Sequence, residues 1–134
     1  MAKKRILLVD DEPSILKTVQ KRLQPYYDVV TATDGLEGLE QALAIRPDLI
    51  ITDIMMPGMD SFTFLRKLRD KSQLSGIPVI VLTARDQMKD LFVLEGIKSC
   101  DYIVKPFESD LLLNKIAQLL ERVQQHLDLP PPAP

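Results

Sequence analysis

Two short apolar runs end abruptly in acid. "RILLVDDEP" closes in Asp10, Asp11 and Glu12 before Pro13, and "LIITDIMMPG" closes in Asp53 ahead of a Pro57–Gly58 turn. Two further runs end in other chemistry: "VIVLTA" in Thr83 and "DYIVKP" in Lys105. If one site collects these groups, its carboxylates repel one another. A hard divalent cation answers that repulsion, because Mg²⁺ prefers oxygen ligands and keeps several waters. The Lys105 ammonium adds a second positive charge. Such a site would suit chemistry in which negative charge must be gathered and neutralised.

The elements that carry these residues decide whether they meet. Each run is too short for a helix and too apolar for a half-exposed strand, so each reads as a strand buried on both faces. "DVVT" is a fifth run of this kind. Helical patterns lie between them: Ile15, Leu16, Val19 and Leu23; Leu36, Leu39 and Leu43; Leu65 and Leu68. The last helix is the most regular, with Leu112, Ile116, Leu119, Leu120, Val123 and Leu127 at helical spacing. The order is strand then helix, five times. Strict alternation predicts a doubly wound parallel sheet with helices on both faces, a three-layer (βα)5 α/β fold. Open parallel sheets bind ligands at the carboxyl ends of their strands. Asp10, Asp11, Asp53, Thr83 and Lys105 all stand at such ends; Thr31 and Ala32, at the end of the second strand, add little.

Bulk properties narrow the classes. The chain has 134 residues, 46% hydrophobic and 27% charged, which suits one globular domain. A net charge of -2 gives no basic footprint for direct nucleic-acid binding. A single cysteine, Cys100, excludes an internal disulfide framework and suits a cytoplasmic protein. The apolar run Ile6 to Val9 is too short for a signal peptide core or a membrane span. "LPPPAP" cannot continue a helix. The expected organisation is one domain over residues 1–126, with residues 127–134 a flexible Pro-rich tail or linker stub.

Four motifs in order, "LLVDDEP", "PDLIITDIMMPGMD", "PVIVLTA" and "DYIVKPF", resemble those of the receiver domain of two-component response regulators, chemotaxis receivers included. The resemblance runs from about Lys4 to about Val123. It implies the flavodoxin-like strand order 2-1-3-4-5, the order of flavodoxin and of a chemotaxis receiver. It implies that Asp53 is the phosphoryl acceptor, loaded by a sensor histidine kinase or phosphotransfer protein. By the same resemblance Asp11 binds Mg²⁺ directly, Asp10 acts largely through water, and the Met55 backbone carbonyl is a further ligand. Thr83 hydrogen-bonds the phosphoryl group, Lys105 pairs with it, and Tyr102 is the aromatic switch that follows Thr83. Such a domain is a signalling phosphoacceptor that catalyses only its own phosphorylation and dephosphorylation. Its partners are the phosphodonor and a downstream target or output domain. A homodimer through the fourth helix, fifth strand and fifth helix is a further expectation, with no membrane partner.

Each residue taken singly has a plainer reading. Asp11 could cap a helix with Pro13 in its first turn. Thr83 could cap a helix at Asp86, Lys105 could be a surface lysine, and Tyr102 could cover the core in one rotamer. Met55, Met56 and Met59 read as packing and turn-covering residues, Cys100 as inert, and His126 as no phosphodonor. The chain departs from the family pattern at Ser61, where glycine is usual. It departs again at Lys98–Ser99, where Gly-Ala is common, with a glycine earlier at Gly96. Met55 and Arg85 occupy the variable sites that flank the acceptor. A phosphatase of the haloacid dehalogenase type needs a second acid two residues after its aspartate, where this chain has Met55. A flavodoxin-like module needs a neutral phosphate loop where this chain has "DDEPS". A degenerate receiver, acting only as an interaction module, would not retain the full set of Asp10, Asp11, Asp53, Thr83 and Lys105.

Overall fold

In a computed structural model, residues 3–53, 61–84 and 100–128 are described. The elements run β1 (Arg5–Val9), α1 (Pro13–Leu23), β2 (Asp28–Ala32), α2 (Gly35–Ile45) and β3 (Leu49–Asp53), then α3 (Ser61–Asp70), β4 (Val79–Ala84), β5 (Cys100–Lys105) and α4 (Ser109–Asp128). All five strands are parallel, in the order β2-β1-β3-β4-β5, the flavodoxin-like arrangement. The helix expected between β4 and β5, with Arg85, Gly96 and Lys98, lies outside the described residues, as do Met55, Met56 and Met59. The helix labelled α4 is therefore the fifth of the sequence expectation. It continues to Asp128, two residues past the expected domain boundary.

The unbroken apolar runs have a direct cause: each side of the sheet is covered. On one face Leu7, Val9, Ile50, Val79 and Val81 pack against Ala42 of α2 and Phe64, Leu65 and Leu68 of α3. On the other, Ile6, Leu8, Leu49, Ile51, Ile80, Leu82 and Ile103 meet Leu16, Val19 and Leu23 of α1 and Leu112, Ile116 and Leu119 of α4. Burying a side chain of this size contributes about 1.5–3 kcal/mol, so neither face of a central strand tolerates polar residues except at its end.

One helix departs from its expected face. The leucines of α2 predict a buried Leu36–Leu39–Leu43 stripe, yet Leu36 is 59% and Leu43 41% exposed. The buried residues are Gly35, Gly38 and Ala42. The reason is close approach: a Cβ at Gly38 would lie 3.0 Å from Val9 Cγ2 and 3.3 Å from the Phe64 ring. The small side chains let α2 sit down on β1; Leu36 and Leu43 are exposed, while Leu39 packs at the edge of the core.

Candidate functional site

The strand ends meet as parallel register requires. Val9 pairs with Thr52, and the Asp10 amide still donates to the Ala32 carbonyl at 3.1 Å, so Asp10 is held at the rim of the sheet. Asp53, the last residue of β3, pairs with Leu82, which sets Thr83 one residue further on the neighbouring strand. Thr83 pairs with Val104 and Ala84 with Lys105, bringing the lysine to the same rim. Four polar side chains are buried among the described residues, and all lie here: Asp10, Thr52, Asp53 and Thr83.

Asp10, Asp11 and Asp53 each offer a carboxylate oxygen, and these atoms all lie within 4.8 Å of one another. Lys105 Nζ is 3.4 Å from Asp53 Oδ2 and 3.7 Å from Asp10 Oδ2. One ammonium thus faces a cluster of three carboxylates. Asp10 is fully buried, and its Oδ1 accepts from the Glu12 amide at 2.9 Å while Oδ2 has no hydrogen-bond donor among the described residues. Burial pushes the Asp10 carboxyl up to about 6; the Glu12 amide pulls the other way, the Asp53 charge adds to the rise and Lys105 opposes it. An all-oxygen cluster with a donorless buried oxygen fits a hard divalent cation. Asp11 does not cap α1: the N-cap is Glu12, without a side-chain capping bond, and Pro13 opens the helix.

Thr83 is fully buried, and its hydroxyl donates to the Ala84 carbonyl at 3.1 Å. Tyr102 lies opposite Val81, two rows below Thr83, and is 43% exposed. In this conformation the side chain is solvent-accessible. A cavity of about 350 Å³ adjoins it, bordered by Ile103, Val104, Leu111 and a 3.1 Å ion pair between Lys115 and Asp101. Met55 lies outside the described residues. Thr52 is the one buried polar residue that the sequence reading passes over. Its only signal is a threonine inside the otherwise aliphatic "LIIT".

A family model described as the response regulator receiver domain matches residues 6–117. The chain belongs to the response regulator receiver domain family. Among curated receiver-containing proteins it is 39% identical over 124 residues to the DNA-binding dual master transcriptional regulator RpaA of a Synechocystis species, covering 90% of this chain and 51% of that protein. The chain thus spans about half the length of that relative, and smaller shares of others. Whole receivers match almost end to end. The chemotaxis response regulator CheY4 of Vibrio cholerae superposes with a TM-score of 0.82 at 34% identity, over 88% of this chain and 99% of that one. The receiver domain of a Pseudomonas aeruginosa sensor histidine kinase gives 0.81 at 28% identity, over 90% and 99%; that structure has magnesium coordinated in its active site cleft. In this chain Asp10, Asp11 and Asp53 gather at the carboxyl end of the sheet, and no described helix is long and apolar enough to cross a membrane.

Proposed function

We propose that Asp53 is the phosphoryl acceptor of this receiver and that its loading depends on Mg²⁺. The observation that carries the reading is the shared lysine: Lys105 lies within 4 Å of both Asp53 and the fully buried Asp10, beside the three-carboxylate cluster. A carboxylate is a poor nucleophile at phosphorus until charge on the phosphoryl oxygens is neutralised. Bound Mg²⁺ would supply part of that neutralisation, held by Asp10, Asp11 and Asp53 with the Met55 carbonyl. Lys105 supplies the rest from the other side. An Asp53 oxygen bonds phosphorus as the bond to the donor's histidine nitrogen breaks. Burial at the end of a rigid strand holds Asp53 in place during transfer. Thr83 takes a hydrogen bond to the phosphoryl oxygens, and Tyr102 turns into the space vacated beside β4.

The donor is a sensor histidine kinase or phosphotransfer protein, and the reader is a downstream target or attached output domain. A groove of about 410 Å³ between α1 and α4 reaches Lys105 itself and is lined by Ile15, Val19, Pro106, Phe107 and Leu112, which suits a docked helix next to the site. The surface of β5 and α4 near Tyr102 is the face proposed for readout or self-association. The receiver unit covers residues 1–126, with 127–134 a tail whose first two residues extend α4; it works in the cytoplasm, and its only catalysis is its own phosphorylation and dephosphorylation. Acetyl phosphate with Mg²⁺ should shift its mobility on a phosphate-affinity gel. Chelation or Asp53→Asn should abolish the shift; a shift that survives both would overturn the reading.

A further inference from the structure

Three of the four buried polar side chains have a role in the proposed transfer; Thr52 has none. It sits in the central strand β3 with a valine on each side, Val9 of β1 and Val81 of β4, in the row Ala32–Val9–Thr52–Val81–Tyr102. A valine there would match its neighbours in shape and would carry no hydroxyl to satisfy. A hydroxyl buried in such a row costs free energy unless it is hydrogen-bonded. This one is bonded: Thr52 Oγ1 donates to the Asp53 carbonyl at 3.1 Å, in a buried setting. Asp53 is the last residue of β3, and its pairing with Leu82 is the last in that ladder. The hydroxyl therefore adds a bond to the acceptor's main chain at the last residue of β3.

We infer that Thr52 is a positioning residue: its hydroxyl holds the Asp53 backbone so that the carboxylate stays directed at Asp10 and Lys105. The side chain itself lies on the sheet face opposite the carboxylate, because alternate residues of a strand point to opposite faces. It acts only through the Asp53 carbonyl. The consequence is a cluster preformed before any cation arrives, with Asp53 Oδ2 already 3.4 Å from Lys105 Nζ.

This inference rests on the proposed acceptor role of Asp53, and the experiment separates the two. Thr52→Val keeps the shape and deletes the hydroxyl; Thr52→Ser keeps the hydroxyl. Mg²⁺ affinity is measured on the full unphosphorylated chain by titrating MgCl₂ against the amide shifts of Asp10, Asp11 and Asp53, alongside thermal melts without metal. Losing one such hydrogen bond predicts about five-fold weaker Mg²⁺ binding in Thr52→Val. The melting temperature should be unchanged or higher, since a hydroxyl leaves an apolar row. Thr52→Ser should restore the affinity. A merely structural threonine would lower the melt and leave the Mg²⁺ affinity alone. Affinity within two-fold of the parent in Thr52→Val, or no rescue by serine, would overturn the inference (with the acceptor reading intact). A parent chain that binds no Mg²⁺ would sink both together.

Discussion

Replacing Asp10 by asparagine should make the metal-free receiver more stable. Asp10 is fully buried in a cluster of three carboxylates served by one ammonium. Its carboxyl is raised from 3.8 to about 6, first by burial, with the Asp53 charge adding to the effect. The sign follows from linkage. A carboxyl with a raised folded pKa holds its proton more tightly in the native state, so ionising it at higher pH works against folding. Below pH 3.8 there is no penalty; it grows between 3.8 and about 6 and is complete above that. At about 1.4 kcal/mol per unit, the rise corresponds to roughly 3 kcal/mol as a ceiling. Water reaching the exposed Asp11 side of the cluster screens part of it, and Lys105 loses one partner, so about 1.5 kcal/mol is the expected gain. Asparagine still presents an oxygen to the Glu12 amide, which preserves the turn into α1. For a chain of this size the gain is worth about 5 °C of melting temperature. Thermal melts in chelator at pH 7.5 and pH 4.5 test this. The variant should melt higher at pH 7.5, and the advantage should largely disappear at pH 4.5; saturating Mg²⁺ should shrink it too. A variant that melts below its parent at pH 7.5, or whose advantage is the same at both pH values, would refute the crowding argument.

Three further outcomes follow from other parts of the molecule. Thr83→Ala should accept phosphate from acetyl phosphate but fail to transmit it: chemical-shift changes at Tyr102 on phosphorylation should shrink relative to the parent, and equal changes would remove Thr83 from the coupling. Gly38→Ala should destabilise by about 1 kcal/mol or more in denaturant melts, because the new Cβ lands 3.0 Å from Val9 and the resulting strain outweighs alanine's better helix propensity. Leu43→Gln, on the outward side of the same helix, should change stability by no more than about 0.5 kcal/mol; the reverse ranking would mean that α2 packs through its leucines.

The strands were legible because burial on both faces leaves no room for polar residues until the chain reaches the rim. That is why "RILLV" and "LIIT" announce β1 and β3, and why the acids after them mark the site. Parallel register did the rest: once the strand order is 2-1-3-4-5, Asp10, Asp53 and Lys105 have to meet. The face of α2 was misread because periodicity counts large apolar residues, whereas a helix pressed onto a sheet is selected for small ones, Gly38 and Ala42. The exposure of Tyr102 depends on the space around it and carries no sequence signal. Thr52 escaped notice because threonine is an ordinary strand residue; only its burial and its bond to the Asp53 carbonyl distinguish it.

The central claim is that Asp53 carries the phosphoryl group and needs Mg²⁺ to receive it. The direct measurement is intact mass followed by peptide mapping, after incubation with acetyl phosphate and borohydride trapping of the acyl phosphate. With Mg²⁺, the chain should gain one phosphoryl group, and the trapped residue should be Asp53; with chelator it should gain none. Modification at Asp10 or Asp11, or equal loading of Asp53 without Mg²⁺, would contradict the account.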